Sequence, residues 1–274
     1  MNINKIESSF SPDPGGKFAE SENGMVSSAH PAASKAGALM LKKGGNAVDA
    51  AVAAAFALGV CEPQASGLGG QTMMLINTEK KVIAIDGSSR APSLAHISKI
   101  KKEDKSIGYK ASTVPSTPAA LLYTLKKYGS LPRKTVLEPA LAAALDGYEI
   151  TPLQNRLLER EKNNFNSIPS LSGSKYFLDN GEPYRQGSLF KQPDLARTLE
   201  MIIDGGINAF YRGKIAAIID SDMRANKGFL RSDDLELPPM PIERKPVKRD
   251  FRGMTVVTMP PPGSGRTLLF TLLM

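Results

Sequence analysis

The most constraining feature of this sequence is the segment from Asn46 to Val60, in which almost every residue is small or apolar. Asn46 is a favoured N-cap residue, and residues 47–60 would carry apolar side chains on every side of a helix. A helix that is apolar all round must be buried. The sequence therefore predicts a globular domain built around this helix, with the strands at 72–86 as the surface on which it packs.

The composition supports a folded domain of ordinary type. The chain has 274 residues, of which 41% are hydrophobic and 23% charged, so it can bury a substantial core. Its single cysteine, Cys61, excludes an internal disulfide framework and any site built from several cysteines. Because Cys61 lies in an apolar run, a buried and inert thiol is the favoured interpretation over a reactive one.

The charge pattern argues against a nucleic-acid partner. The net charge is +8, but it is dispersed along the chain. The densest basic stretch, residues 244–252, is interrupted by Pro246 and Asp250 and lacks interleaved stacking aromatics. The chain also starts without an apolar signal-like segment and has no run of 18 apolar residues, so we expect a soluble, cytoplasmic protein with no membrane partner.

The first third of the chain predicts an arm, two helices and a hairpin. Residues 1–23 are polar and rich in Pro, Gly and Ser, which indicates an N-terminal arm before a folded region at 24–274. Residues 25–29 are predicted to form a short strand, and His30 to cap or pack against a helix that runs to Leu41. The following elements are the helix after Asn46, a glycine-rich turn at 66–71, and a hairpin of strands at 72–77 and 80–86.

The rest of the chain is predicted to be mainly helical. Apolar residues recur three or four positions apart at 118–128, 137–145, 193–203 and 208–225. A strand at 254–259 then leads into the turn Pro260-Pro261-Pro262-Gly263-Ser264-Gly265 and an apolar helix at 266–274. That helix has no stop signal, so Leu268, Leu269, Phe270, Leu272 and Leu273 are expected to be partly exposed.

Common catalytic and cofactor motifs are absent from this pattern. The glycines at 67–70 precede a strand, whereas phosphate-binding loops follow a strand and open a helix. His30 and His96 are the two histidines, too few and too poorly placed for a Ser-His-Asp triad or a metal site. The four carboxylates considered lie beside turns or helix ends and are interpreted as structural: Asp86, Glu138, Asp146 and Asp204. We expect no metal and no cofactor.

A series of short motifs nevertheless runs through the chain from Gly24 onward. The most specific is Lys42-Lys43-Gly44-Gly45-Asn46-Ala47-Val48-Asp49-Ala50-Ala51. The others are Gly24-Met25-Val26-Ser27-Ser28, His30-Pro31-Ala32-Ala33, Glu62-Pro63, Ser66-Gly67-Leu68-Gly69-Gly70, Asp86 with Ala91-Pro92, Tyr128-Gly129-Ser130-Leu131-Pro132, Glu138-Pro139-Ala140, Asp146-Gly147-Tyr148, Ala209-Phe210-Tyr211-Arg212-Gly213, Gly228-Phe229-Leu230 and Met259-Pro260-Pro261-Pro262. In this order they resemble the large-subunit part of the gamma-glutamyltranspeptidase family.

That resemblance implies an α/β (α+β) fold of the N-terminal-nucleophile hydrolase type, with four αββα layers, here incomplete and with a mainly helical middle section. It also implies a precursor that cleaves itself at a threonine, whose freed amine activates its own hydroxyl to pass a gamma-glutamyl group to water or an amine. In the family this threonine lies well downstream of the proline turn. We therefore expect no catalytic residue in this chain and expect a downstream segment or small subunit as its partner.

One substrate contact is expected in this half, at Arg90. The family pattern is Asp-x-Arg-x-x-Ala-Pro, and its arginine holds the substrate α-carboxylate. Here Ser88 occupies the arginine position, and Arg90 follows two residues later. Because a two-residue shift keeps the same side of an extended strand, Arg90 could reach the same pocket, although a structural or surface arginine is the alternative. The departure leaves acylase-like or poly-gamma-glutamate-like substrates open.

Two functional hypotheses follow from the resemblance. In the first, the chain is half of an acyl-transferring enzyme acting on a small gamma-glutamyl or amide substrate. In the second, it is a non-catalytic remnant or binding module that keeps the fold. Assembly into a homo-oligomer is compatible with either.

Overall fold

The structure, a computed structural model, describes residues 19–167 and 173–274. Most of the predicted arm at 1–23 lies outside these ranges. The α-helices of the described residues are α1 Pro31–Lys42, α2 Ala47–Cys61, α3 Thr117–Tyr128, α4 Arg133–Asp146, α5 Pro152–Ser167, α6 Gly173–Phe177, α7 Pro193–Gly205, α8 Ile207–Tyr211, α9 Lys214–Ala225, α10 Ser232–Glu236 and α11 Gly265–Leu272. Their strands are β1 Thr72–Asn77, β2 Val82–Gly87, β3 Tyr148–Glu149, β4 Leu178–Asp179, β5 Glu182–Pro183, β6 Leu189–Phe190, β7 Ile242–Arg244, β8 Val247–Phe251 and β9 Met254–Thr258.

Helix α1 begins where the sequence predicts, but the strand predicted before it is wrong. The Nδ1 atom of His30 accepts a hydrogen bond from the backbone N–H of Ala32 at 3.2 Å, which confirms the capping role. Residues 25–29 form no strand, because no other strand of the described chain lies alongside to complete a ladder. Instead Val26 packs against α1 at Gly37, where a methyl group would lie 2.8 Å from the Val26 side chain.

Helix α2 is the buried centre of the domain, as predicted, but its neighbours differ from the prediction. Its N-terminus carries a capping box in which Asn46 accepts from the N–H groups of Val48 and Asp49. Val52, Ala53 and Phe56 are almost completely buried. The helix packs mainly against α1, α3 and α4, and α3 is the helix that lies on the strands. The apolar side chains on every side of α2 predict its burial. Because all sides are alike, the sequence does not indicate which elements cover the helix.

The hairpin predicted at 72–86 is confirmed and extended by a third strand. β1 and β2 pair antiparallel with Thr72 opposite Gly87, and β7 joins the other edge of β2 with Asp86 opposite Ile242. The remaining strands of the described chain form three separate pairs, β3 with β6, β4 with β5, and β8 with β9. The sheet therefore has α3 on one face, and its other face carries the exposed side chains Leu75 and Ile242.

The helical middle section is confirmed with two changes. The predicted helix at 208–225 is two helices, α8 and α9, divided at Gly213, where a side chain would lie about 3.0 Å from the carbonyl oxygen of Ala209. Glycine also has low helix propensity, which favours the break. Helix α5 is not predicted, because its mostly polar residues weaken the apolar period on which the prediction depends.

The exposure expected at the last helix is confirmed except at one residue. Leu268, Phe270 and Leu273 are 48%, 65% and 54% exposed. Leu269 is buried, contrary to the expectation, because α11 packs on the β8–β9 hairpin and Leu269 lies on its covered side. The described helices include none with the length and apolar character needed to cross a membrane.

We expect the stability of the protein to fall in mild acid because of His30. Its ring is buried and packs edge-on against Tyr148, and this burial lowers the pKa of His30, with partial opposition from Glu62. The unfolded chain, with a histidine pKa of about 6.5, therefore binds a proton before the folded one, and stability is lost as pH falls from that value toward the lowered pKa. The free energy of unfolding from urea titrations should fall over this range.

The matched variant is His30→Asn, because asparagine retains a side-chain acceptor for the helix cap. It should show a shallower loss of stability over the same pH range. His96→Asn, which changes an exposed histidine, serves as the control and should behave as the parent. Equal pH slopes for the parent and His30→Asn would contradict the prediction.

Candidate functional site

An open cleft of about 590 Å³ lies where α2, the glycine-rich turn and the start of α3 meet. Its walls come from Ala55 and Leu58 of α2, residues 63–67, and Gly69 to Thr72, with Thr117 closing one side. The cleft adjoins the end of β2, because Thr72 at its wall pairs with Gly87. This arrangement places the glycine turn and the motif that begins at Asp86 at one end of the sheet.

Hydrogen bonds hold the glycine turn in place. The carbonyl oxygen of Gly70 accepts from the backbone N–H groups of Ser116 and Thr117 at 2.9 and 3.2 Å. The hydroxyl of buried Ser116 donates to the carbonyl oxygen of Gly87 at 2.6 Å, which joins the turn, α3 and β2. Thr72 also donates to the Thr117 hydroxyl. The cleft wall is therefore formed within this chain and does not depend on a ligand for its shape.

Gln71 links the cleft to the segment after β2. Its Oε1 atom accepts from the backbone N–H and the hydroxyl of Ser89 at 3.1 and 3.3 Å. The Nε2 group of Gln71 has no partner among the described residues, so it remains available as a donor at the cleft wall. Sequence reasoning missed Gln71, Ser116 and Thr117, since single polar residues beside a turn carry no recognisable pattern.

Asp86 is structural, as predicted, and organises the end of β2. Its carboxylate is buried and accepts from the backbone N–H and hydroxyl of Ser88 and from Nε of Arg244 at 2.7 Å. Burial by itself would raise the pKa of Asp86, but the bonds from Ser88 and Arg244 outweigh it and lower the pKa. Ser88, which occupies the family's arginine position, therefore donates its hydroxyl to a buried carboxylate.

Arg90 contacts the neighbouring helix. Its Nη2 group donates to the carbonyl oxygens of Asp234 and Leu237, at the end of α10, at 2.5 and 2.6 Å. Arg90 is not among the residues that line the cleft. Its backbone forms an isolated antiparallel bridge with Val114, so the chain is extended here, as the sequence argument required. Arg90 therefore makes a structural contact that joins the segment after β2 to the end of α10. Its contact with substrate stays a prediction.

The other candidate residues of the sequence lie apart from the cleft. Cys61 is buried, and burial raises the pKa of its thiol to about 12, in agreement with the inert thiol predicted. His96 is exposed and bonds to Ser98 within its own turn. Within residues 19–167 and 173–274, no three side chains of metal-binding type come together.

Nothing in the described part of the chain requires glycine at two positions of the turn, Gly67 and Gly69. A side chain at Gly67 or Gly69 would meet nothing within 4 Å, and neither residue has a φ in the left-handed region. Both line the cleft, so a side chain would extend into open space there. Glycine at such positions permits close approach of another backbone or a ligand, which supports a functional role for the cleft.

We expect Gly69→Val to leave folding almost unchanged while blocking the cleft. The new Cβ atom would meet nothing within 4 Å and φ is not in the left-handed region, so the free energy of unfolding should change by less than about 1 kcal/mol. The comparison is Gly45→Val, where even a methyl group would lie 2.6 Å from the Leu131 side chain and 2.9 Å from the carbonyl oxygen of Met40. Thermal unfolding should show a clear loss for Gly45→Val. A similar loss for Gly69→Val would contradict the open cleft.

Comparison with known proteins places the chain in a family. The family model for Gamma-glutamyltranspeptidase matches residues 33–274. The glutathione hydrolase proenzyme of Escherichia coli is 38% identical over 255 residues, which cover 89% of this chain and 43% of that protein. The chain therefore spans less than half the length of this relative.

Solved structures agree with the sequence match. Helicobacter pylori gamma-glutamyltranspeptidase superposes with a TM-score of 0.87 at 35% identity, covering 92% of this chain and 74% of that one. Cephalosporin acylase from Bacillus halodurans superposes with a TM-score of 0.82 at 32% identity, covering 95% of this chain and 51% of that one. Since the family model matches most of the sequence and the fold is the same, the chain belongs to the gamma-glutamyltranspeptidase family of N-terminal-nucleophile hydrolases and corresponds to its large-subunit part.

Proposed function

We propose that this chain is the large-subunit part of an enzyme that transfers a gamma-glutamyl or related acyl group to water or an amine. The supporting observation is the preformed cleft at the end of β2, built from the glycine-rich turn and the Asp86 segment that carry the family resemblance. The nucleophile would be a threonine outside residues 1–274, activated by its own amine. This chain would supply one wall of the substrate site.

The residues at the cleft suit the binding of an amide substrate. The Nε2 group of Gln71, which has no partner within the described part of the chain, can donate to a carbonyl oxygen, and the open surface at Gly67 and Gly69 lets a backbone approach closely. The described residues that form the cleft walls carry no charged side chain. These residues would position the acyl donor, while bond cleavage depends on groups supplied by the rest of the enzyme.

A second candidate is an acylase for donors that lack a free α-carboxylate. Ser88 stands at the family's arginine position and is bonded to Asp86, and the Arg90 guanidinium already contacts two backbone carbonyl oxygens. Ser88 carries no charge, and the Arg90 guanidinium does not line the cleft, so neither residue presents a free cation there. The likeness to cephalosporin acylase from Bacillus halodurans favours the same candidate.

The partner would cover two apolar surfaces. One is the face of the sheet opposite α3, where Leu75 and Ile242 are 42% and 54% exposed. The other is the exposed side of α11, with Leu268 and Phe270. Exposed apolar side chains that share one face of an element are found at protein interfaces. We propose that a downstream segment or small subunit of the same enzyme packs there.

The test is turnover of a gamma-glutamyl anilide by residues 1–274 alone and together with the remaining half of the Escherichia coli relative. We expect no turnover and no self-cleavage by residues 1–274 alone, as measured by absorbance and mass spectrometry, and measurable turnover after complementation. Activity of the isolated chain that survived repurification would place a nucleophile within residues 1–274 and overturn the proposal. If the corresponding halves of several relatives all fail to restore turnover, the non-catalytic binding module is favoured.

The complemented enzyme also tests whether the acyl donor must carry a free α-carboxylate. A 4-aminobutyryl anilide lacks the α-carboxylate but otherwise matches the gamma-glutamyl anilide. If Arg90 binds the carboxylate, Arg90→Gln should raise KM for the gamma-glutamyl anilide alone and leave the other substrate unaffected. If the acylase candidate is correct, the parent should show little preference between the two anilides, and Arg90→Gln should lower stability without changing that ratio.

A further inference from the structure

Arg244 lies on the face of the sheet that α3 leaves open. Its neighbour on β7, Glu243, faces α3, because its carboxylate accepts from two tyrosine hydroxyls of that helix. Side chains alternate along a strand, so Arg244 and Asp86, the partner of Ile242, lie on the opposite face. This is the face that carries the exposed side chains of Leu75 and Ile242.

A hydrogen bond fixes the orientation of the Arg244 guanidinium. Its Nε group donates to Oδ2 of Asp86 at 2.7 Å, and the Asp86 side chain is only 4% exposed. The other oxygen, Oδ1, accepts from the hydroxyl and the backbone N–H of Ser88. The buried carboxylate is therefore engaged at both oxygens and holds the guanidinium by one edge.

The two Nη groups of Arg244 have no partner among the described residues. Both reach solvent, because the buried side-chain nitrogen and oxygen atoms without a partner in this part of the chain belong to other residues. The Arg244 side chain is 38% exposed, in agreement. A guanidinium presents its two Nη groups side by side, in the spacing that suits the two oxygens of a carboxylate.

Ser88 and Ser89 connect the guanidinium to the candidate cleft. Ser88 donates to the carboxylate that holds Arg244, and Ser89 donates to Oε1 of Gln71 at the cleft wall. Within the described chain, the unpartnered Nη groups of Arg244 and the unpartnered Nε2 group of Gln71 are thus supported by adjacent residues. A small ligand with an amide carbonyl and a carboxylate a few bonds apart offers an acceptor to each.

We propose that Arg244 binds the carboxylate of the acyl donor and that Asp86 positions it. The inference rests on the proposed function and favours a gamma-glutamyl donor over a donor without a carboxylate. Ser88 is uncharged and Arg90 is bonded to the end of α10, so Arg244 supplies the cation that neither of them offers. A partner packed on this face would exclude water and strengthen the charge-assisted bonds.

The first test measures binding to residues 1–274 and does not require turnover. The probes are the gamma-glutamyl anilide and the 4-aminobutyryl anilide, and NMR follows the Ile242 methyl groups and the Nε–H signal of Arg244. We expect the gamma-glutamyl anilide to bind at least about tenfold more tightly, because hydrogen bonds to charged groups discriminate by that factor or more.

Arg244→Lys should remove this preference without unfolding the protein. Its ammonium can keep the ion pair with Asp86, but it lacks the paired donors that a second carboxylate requires. Circular dichroism checks the fold. The matched control is Arg249→Lys, the same change at an exposed arginine of β8, which should retain the preference of the parent. The proposal is overturned if the parent shows no preference, or if Arg244→Lys and Arg249→Lys behave alike.

The complemented enzyme separates this inference from the proposed function. Arg244→Lys should raise KM for the gamma-glutamyl anilide at least about tenfold, with kcat and the KM for the 4-aminobutyryl anilide unchanged. Turnover without a preference between the anilides overturns the role of Arg244 and leaves acyl transfer intact. Absence of turnover, with binding of the carboxylate that still depends on Arg244, overturns the proposed function and supports the binding site.

The same enzyme identifies the source of the carboxylate. If Arg244 pairs with an acidic side chain of the partner, Arg244→Lys should weaken assembly with the complementing half and leave KM for both anilides unchanged. That result would overturn the proposal. Assembly equal to that of the parent, with the rise in KM confined to the gamma-glutamyl anilide, would support it.

Discussion

Ala53→Asp should destabilise the protein by at least about 3 kcal/mol, because it places an unpaired carboxylate in the centre of the core. Ala53 has no exposed surface, and its neighbours along α2, Val52 and Phe56, are also buried. Among α1, α3 and α4 the new carboxylate would find no water and no hydrogen-bond donor prepared for it. Urea unfolding followed by circular dichroism measures the loss.

The matched control is Ala51→Asp, which makes the same change on the exposed side of the same helix. It alters helix propensity equally but leaves the carboxylate in water, so it should cost less than about 1 kcal/mol. The difference between the two variants isolates burial from propensity. Equal losses, or an unchanged melting temperature for Ala53→Asp, would show that α2 is not the buried centre of the fold.

Asp49→Ala is expected to have an effect of similar size, because Asp49 is a fully buried carboxylate that organises two segments of the chain. It accepts from the N–H of Asn46 at 2.8 Å and closes the cap of α2. It also accepts from the N–H and hydroxyl of Ser130 and from the N–H of Leu131, which hold the turn before α4. Removing the carboxylate takes the shared acceptor from these part-buried donors and breaks the cap and the turn together, at a cost of roughly 3 kcal/mol.

The pH dependence of stability provides a second measure of Asp49. Burial by itself would raise the pKa of Asp49, but hydrogen bonds from Ser130, Leu131 and Asn46 outweigh it and lower the pKa. The stabilisation is therefore complete above the unfolded pKa, near 3.8, and is lost as pH falls toward the lower folded value. Asp49→Ala should lose stability less steeply in this acid range than the parent.

Asp146→Ala is the control for Asp49→Ala. Asp146 is exposed at the end of α4, so its removal should change the free energy of unfolding by no more than about 0.5 kcal/mol. Asp49→Asn retains the shape and one acceptor oxygen and should fall between the two. A loss for Asp49→Ala no greater than that for Asp146→Ala would mean that the bonds around Asp49 contribute little.

The sequence by itself determined the elements whose signals lie within a few residues of one another. The caps at His30 and Asn46, the burial of α2 and the β1–β2 hairpin all follow from local spacing, because helix and strand periods and end caps act over one or two turns of chain. The motif order around Gly44-Gly45-Asn46 and Ser66 to Gly70 also indicated the family, which the comparisons confirm.

Only the tertiary structure decided which of these elements meet. It placed α3 on the sheet instead of α2, joined Asp86 to Arg244 across 158 positions, and directed Arg90 to the end of α10, 144 positions away. Such pairings depend on how the whole chain packs, and no spacing along the sequence encodes them. The contacts of Arg90 and the open cleft beside the glycine turn were therefore beyond a local pattern, because each is produced by segments that approach one another only in the folded chain.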